Sequence, residues 1–154
     1  MTMPQPGSPA PAFAMAGDTG PISSADFAGR KYVVYFYPKD DTPGCTNEGK
    51  AFSALQAQFD AADTVVIGIS RDSVASHAKF RAKHGLTVLL GSDEAAVTEA
   101  FGVWVEKSMY GKKYMGIERA TFLIGRDGVV AQMWPKVKVP GHAEAVLAAA
   151  QALA

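Results

Sequence analysis

One sulfur dominates the chemistry available to this chain. Cys45 is its only cysteine. It follows a strand-like run, Lys31-Tyr32-Val33-Val34-Tyr35-Phe36-Tyr37, which breaks at Pro38 before Thr42-Pro43-Gly44-Cys45-Thr46 opens a helix. With Thr42 as N-cap, Pro43 falls at the first helical position, where its missing N–H is no loss, and Cys45 at the third. A thiolate is the reactive form of cysteine, and the first turn of a helix favours it through unpaired backbone N–H groups and the positive end of the macrodipole. The Thr42 hydroxyl falls on the same side, within reach of the sulfur or of an oxygen beside it. The chemistry on offer is attack by sulfur on an atom that those donors also touch.

The elements around the sulfur alternate. Ala51, Phe52, Leu55, Phe59 and Ala62 recur at three- and four-residue intervals and predict one helix from about Cys45 to Ala61. Thr64 to Ser70 is a β-branched run, the pattern of a parallel strand covered on both faces. Ser73 is placed to cap a helix that ends at Gly85, and Leu86 to Leu90 returns as a strand. Ser92 with Asp93 and Glu94 is expected to start a short helix closed by Gly102. Asp127-Gly128 between Ala120–Ile124 and Val129–Trp134 signals a hairpin, so the sheet is mixed. Gly141 to Leu153 predicts a last helix packed on that sheet. The expectation is a three-layer α/β fold, a central mixed β-sheet flanked by helices. Its divisions are a flexible arm at residues 1–6, rich in proline, and a single domain over residues 7–154.

Bulk properties narrow the setting. With 154 residues, 48% hydrophobic, the chain suits one core. Lys+Arg equals Asp+Glu at 15 each, so no broad field gathers nucleic acid or a membrane surface. No apolar run approaches a membrane span and the amino terminus lacks the pattern of a secretory signal, so a cytoplasmic location is expected. One cysteine and three scattered histidines show no paired ligand spacing, and no glycine loop cradles a phosphate; neither metal nor cofactor is called for.

Three readings of the sulfur compete. A cysteine hydrolase needs a histidine base, for which His77, His84 and His142 are available; His77 and His84 share one helix face, expected at the surface. A thioredoxin-like binding module with an incidental cysteine is the second. The absence of Cys-x-x-Cys excludes a dithiol oxidoreductase. The third comes from a resemblance. Pro38-Lys39-Asp40-Asp41-Thr42-Pro43-Gly44-Cys45 matches the Pro-x-x-x-Thr-x-x-Cys signature of peroxiredoxins. Tyr35-Phe36-Tyr37-Pro38 with Thr42-Pro43-Gly44-Cys45-Thr46 resembles the bacterioferritin-comigratory protein, or peroxiredoxin Q, branch. The likeness extends to residues 7–13, to Phe101-Gly102-Val103-Trp104 and to Gly116 through Ile124, and so covers nearly the whole chain.

That resemblance implies a thioredoxin-like fold and a peroxidase. It makes Cys45 the peroxidatic cysteine, with Thr42 orienting the peroxide, Pro38 walling the sulfur from water and Arg119 completing the site; Gly44 supports the motif. Glu48, one turn beyond Cys45, is placed to hold Arg119 by a charge-assisted pair. Many members of the branch carry a second cysteine five positions after the first, where this chain has Lys50. An internal disulfide is therefore excluded. The expected cycle uses one cysteine: a sulfenic acid on Cys45, formed by hydrogen peroxide or an organic hydroperoxide, is reduced by an external thiol such as thioredoxin, glutaredoxin or glutathione. A monomer is expected, as is often the case in the branch.

Overall fold

The computed structural model describes residues 2–154. After an extended start the chain makes β1 (Ala14–Gly17) and β2 (Ile22–Ser23), a single 3-10 turn at Ser24–Phe27, and the fully buried β3 (Lys31–Phe36). Two helices follow, α1 (Pro43–Ala54) and α2 (Gln56–Ala61), then β4 (Thr64–Ser70), α3 (Val74–His84) and β5 (Leu89–Ser92). The short α4 (Ala96–Ala100) leads to β6 (Trp104–Met109) and β7 (Lys112–Ile117). The chain ends with β8 (Ala120–Ile124), β9 (Val130–Trp134) and α5 (His142–Ala152).

Seven strands form one mixed sheet in the order β2-β1-β5-β4-β3-β8-β9. β3 pairs parallel with β4 and antiparallel with β8, which sets the end of β3 beside the start of β8, and hence Pro38 and Arg119 at the same end of these interior strands. Alternation along β3 divides the core. Tyr32, Val34 and Phe36 face Phe101, Val103 and Phe122, while Val33 and Tyr35 face Phe52, Phe59, Val146 and Ala150. The second layer therefore holds α1 and α5, and Cys45 is part of it. Phe52 stacks on Tyr35 with ring centroids 4.7 Å apart, fixing α1 against the central strand. No helix among the described residues is long and apolar enough to cross a membrane.

Several local expectations shift. The helix predicted from Cys45 to Ala61 is two helices broken at Leu55, which leaves the helical region at φ −100°, ψ 12° without any glycine or proline to announce it. The strand expected at Leu86–Leu90 begins later, at Leu89, where pairing with Ile67 of β4 starts; Leu86 and Val88 are buried in the core without ladder partners. Ser92 ends that strand instead of starting a helix. Asp93 does the capping, its carboxylate accepting from Val97 N at 3.0 Å and Thr98 N at 2.8 Å. A hairpin, β6–β7, stands as a separate two-stranded sheet where none was expected. Of the arm expected at residues 1–6, Met1 lies outside the described residues. Met3 rests on the core and Gly7 N donates to Val130 O at 2.8 Å.

Candidate active site

The loop after β3 delivers the sulfur. Thr42 has extended backbone angles and its carbonyl accepts the first helical bond, from Thr46 N at 2.8 Å, so Pro43 opens α1 and Cys45 is its third residue. The amides of Gly44 and Cys45 consequently have no partner within the helix. The Thr42 hydroxyl does not cap the helix as expected; it donates to Lys39 O at 2.8 Å, which closes the loop and leaves its lone pairs as acceptors.

Arg119 comes from the two-residue link between β7 and β8 and reaches over the first turn of α1. One guanidinium nitrogen, Nη2, lies 3.3 Å from Cys45 Sγ, and the other, Nη1, donates to Glu48 Oε1 at 2.7 Å. The fork thus ties together two side chains one helical turn apart. Gly44 makes room for it: a Cβ at that position would sit 3.2 Å from Nη2. Cys45 is 2% exposed and Glu48 1%, whereas the Arg119 side chain retains 20% exposure and forms the visible wall of the site. Pro38 is exposed and lies with Arg119, Lys107, Glu118, Lys136 and Lys138 around a shallow mouth of about 280 Å³.

Burial pushes the Glu48 carboxyl up from its ordinary 4.5 to about 7, against the pull of the Arg119 cation. Its second oxygen, Oε2, is buried without a hydrogen-bond partner. Burial also works against the Arg119 cation, but Glu48 and Cys45 outweigh it and hold the proton more firmly than usual. His142, at the start of α5, bonds Thr121 Oγ1 at 2.8 Å, and burial followed by the nearby Arg119 charge lowers it to about 4, so it is neutral at pH 7.

His77 is not on a surface face. It is fully buried, with Nδ1 2.7 Å from Asp40 Oδ2 and Nε2 2.9 Å from Gly91 O, while Asp40 also accepts from Tyr37 Oη at 2.6 Å and Ser76 Oγ at 2.8 Å. Both ring nitrogens are thus engaged away from the sulfur. His84 pairs with Asp41 at 2.8 Å, and Lys83 with the same carboxylate at 2.7 Å. These contacts latch residues 40 and 41 to α3. A spacing argument missed them because a histidine in a helical run carries no mark of which face it lies on. Trp104 is covered by the Arg71 guanidinium, 3.4 Å from its ring centroid. The structure therefore brings Cys45, Gly44, Glu48 and Arg119 into contact, sets Thr42 one turn back and Pro38 at the rim, and leaves no histidine on the sulfur.

The AhpC/TSA family profile matches residues 6–133. Peroxiredoxin Bcp of Xanthomonas campestris pv. campestris is 56% identical over 126 residues, which cover 81% of this chain and 79% of that one. Peroxiredoxin Bcp of Bacillus subtilis is 47% identical over 138 residues, 88% of each chain. A solved structure of the Xanthomonas campestris bacterioferritin comigratory protein, described in connection with its alkyl peroxide reduction and trapped intermediate and ligand complexes, superposes with a TM-score of 0.86 at 50% identity. It covers 91% of this chain and 90% of its own.

Proposed function

The chain belongs to the AhpC/TSA family, as a thiol-dependent peroxiredoxin of the Bcp or peroxiredoxin Q branch, and from that premise we propose a one-cysteine peroxidase cycle on Cys45. One observation carries the reading: in a chain with a single cysteine, the guanidinium of Arg119 spans from Cys45 Sγ at 3.3 Å to a buried carboxylate that fixes its direction.

The Cys45 thiolate attacks the nearer oxygen of a hydroperoxide. An S–O bond forms as the O–O bond breaks, and the departing alkoxide or hydroxide takes up a proton. Negative charge moves from sulfur to the leaving oxygen, and Arg119 with the free amides of the first helical turn supplies fixed donors along that path. The Thr42 hydroxyl, its own proton committed to Lys39 O, is suited to accept the O–H of the incoming hydroperoxide. Pro38 and Arg119 bound the approach. Glu48 acts through Arg119 as a positioning residue. Both hydrogen peroxide and organic hydroperoxides fit this chemistry, and the alkyl peroxide reduction named for the Xanthomonas campestris relative supports the second class.

The sulfenic acid left on Cys45 meets no second cysteine, so its reductant is an external thiol. Cys45→Ser tests the whole cycle. Peroxide consumption is expected to disappear while the far-ultraviolet circular dichroism and thermal transition stay those of the parent. Turnover by the serine protein at a comparable rate would remove the assignment.

A further inference from the structure

A reductant that must arrive from outside needs a surface to land on, and one surface of this molecule is built unlike the rest. Among the described residues, large apolar side chains are exposed at five positions. Four of them, Met109, Tyr110, Tyr114 and Met115, belong to the β6–β7 hairpin; Tyr110 is 98% exposed. Singly scattered apolar residues on a protein surface carry no consequence, but here four of the five fall within one 14-residue hairpin.

The register divides the hairpin into two unlike faces. Lys107 lies opposite Tyr114 and Met109 opposite Lys112, and these four alternate onto one face; Glu106 opposite Met115 and Ser108 opposite Lys113 take the other. Gly116 confirms the first grouping, since a Cβ there would meet the Lys107 stem at 3.2 Å and the Tyr114 ring at 3.3 Å. On the second face Lys113 pairs with Glu106 at 3.7 Å. On the first, no carboxylate among the described residues pairs with Lys107 or Lys112. Lys107 also lines the mouth that Pro38 and Arg119 share, where Lys136 and Lys138 stand against the single carboxylate of Glu118. The first face and the mouth share Lys107 and so adjoin, apolar at the outer end and cationic toward Arg119, whose Nη2 lies on Cys45 Sγ.

We propose that this strip, Met109, Lys112 and Tyr114 with the lysines of the mouth, is the docking face for a dithiol protein whose attacking cysteine is ringed by apolar side chains and flanked by acidic ones. The proposal rests on the one-cysteine cycle above. The lysines of the strip give charge steering toward the site. The covalent step balances. The partner's thiol forms an S–S bond to Cys45 as the S–O bond of the sulfenic acid breaks, and the hydroxyl leaves with the thiol's proton as water. A second thiol of the partner then attacks the partner's own sulfur in that mixed disulfide, Cys45 departs as thiolate, and the partner leaves oxidised.

The test uses the full chain, oxidised with one equivalent of hydrogen peroxide. The probes are thioredoxin and glutaredoxin, each retaining only its attacking cysteine, and mixed-disulfide formation is followed by intact mass. In the triple variant Met109→Ser, Lys112→Glu, Tyr114→Ser, capture by the better protein probe is expected to slow about tenfold or more. Reduction by dithiothreitol and the initial reaction with peroxide should stay within about twofold, which a merely structural defect would not allow. The opposite-face variant Lys113→Glu, Met115→Ser should capture normally. Equal capture by the triple variant, equal slowing by the opposite-face variant, faster reduction by glutathione than by either protein, or a dimer in sedimentation that the triple variant dissolves would each overturn the docking face. Reduction by dithiothreitol with no capture by either protein would also overturn it while leaving the one-cysteine cycle standing. A sulfenic acid that no thiol reduces would remove the cycle itself.

Discussion

Asp40 and Glu48 are both buried carboxylates, five residues before the sulfur and three after it, yet their surroundings are built on opposite terms. Asp40 accepts from Tyr37 Oη, Ser76 Oγ and His77 Nδ1, and its own amide donates to Asp72 Oδ2 at 2.8 Å. Burial works against the His77 cation, but hydrogen bonding and charge from Asp40 more than offset it and the histidine is raised, with both ring nitrogens engaged in a closed network. Glu48 has one donor, Arg119, for one of its two oxygens, and the other is bare. Polar burial is normally fully satisfied, and the exceptions gather where a site needs them. The satisfied side latches the loop to α3; the unsatisfied side touches the group that touches the sulfur.

The contrast breaks most visibly at Arg119. Arg119→Ala is expected to lower the second-order rate with peroxide by about 10²–10³, the usual loss when a donor to a developing oxyanion is removed. Losing one partner of a buried pair ordinarily costs about 3–5 kcal/mol. Here the remaining partner already holds its proton to about pH 7, so Glu48 escapes the penalty by staying protonated. Thermal unfolding should therefore move little at pH 6 while the rate collapses. A collapse of both together would mean that the two sides of the loop are structurally alike.

Asp40→Asn should do the reverse. It leaves His77, Tyr37 and Ser76 sharing one carbonyl oxygen in place of a carboxylate, and a loss of about 3 kcal/mol in urea unfolding is expected. The peroxide rate per folded molecule, measured well below the transition, should change by less than about tenfold, because neither Asp40 nor His77 reaches the sulfur. A rate loss matching that of Arg119→Ala would place the latch inside the chemistry.

Glu48→Gln separates the two sides by pH. A carboxyl raised in the folded state from 4.5 to about 7 favours the protonated form. Its contribution is thus fully present below pH 4.5 and is lost as pH climbs to 7. Relative to the glutamine variant, the parent should lose roughly 3 kcal/mol of stability in all as pH passes through that interval, levelling off above pH 7. Every other titrating group is common to both proteins and cancels in the difference. The same variant should reduce the peroxide rate, since an amide orients Arg119 without balancing its charge. A constant stability difference from pH 4 to 8 would show that the Glu48 carboxyl titrates alike in the folded and unfolded protein, and so is not raised.

What the sequence made legible divides along similar lines. The first turn of α1 was readable because N-cap, N1 proline and the position of Cys45 are consecutive, and the Glu48 position follows from one helical turn. Arg119 lies 74 residues away. No spacing rule brings it to Cys45, and only the motif Gly116 to Ile124 pointed there. Strands buried on both faces, such as β4, announced themselves by β-branched runs, and the left-handed cap at Gly85 was marked by its residue type. The β6–β7 hairpin was silent because both its faces meet solvent and no alternation survives. Its turn at Tyr110-Gly111, with φ of 52° and 76°, lacks the asparagine or aspartate that usually signals such a turn. The Asp40–His77 network was silent because polar residues in a loop and on a helix read as surface until the chain is folded.

Gly44 gives the smallest and most local test. Its backbone angles are helical, so alanine meets no conformational barrier there, and in a helix alanine is the better former by up to about 1 kcal/mol. The added Cβ would lie 3.2 Å from Arg119 Nη2, closer than a methyl group and a guanidinium nitrogen rest, and 3.8 Å from Cζ, an ordinary contact. The guanidinium has to give by a few tenths of an ångström, and it gives at the end that faces Cys45, since the other end is tied to Glu48. Gly44→Ala is therefore expected to leave the unfolding temperature unchanged or slightly higher and to slow the peroxide reaction by about tenfold, a donor displaced instead of deleted. An undiminished rate in a fully folded alanine protein would mean that the distance from Nη2 to the sulfur does not set the rate, and the asymmetry between the two carboxylates would then be a matter of stability alone.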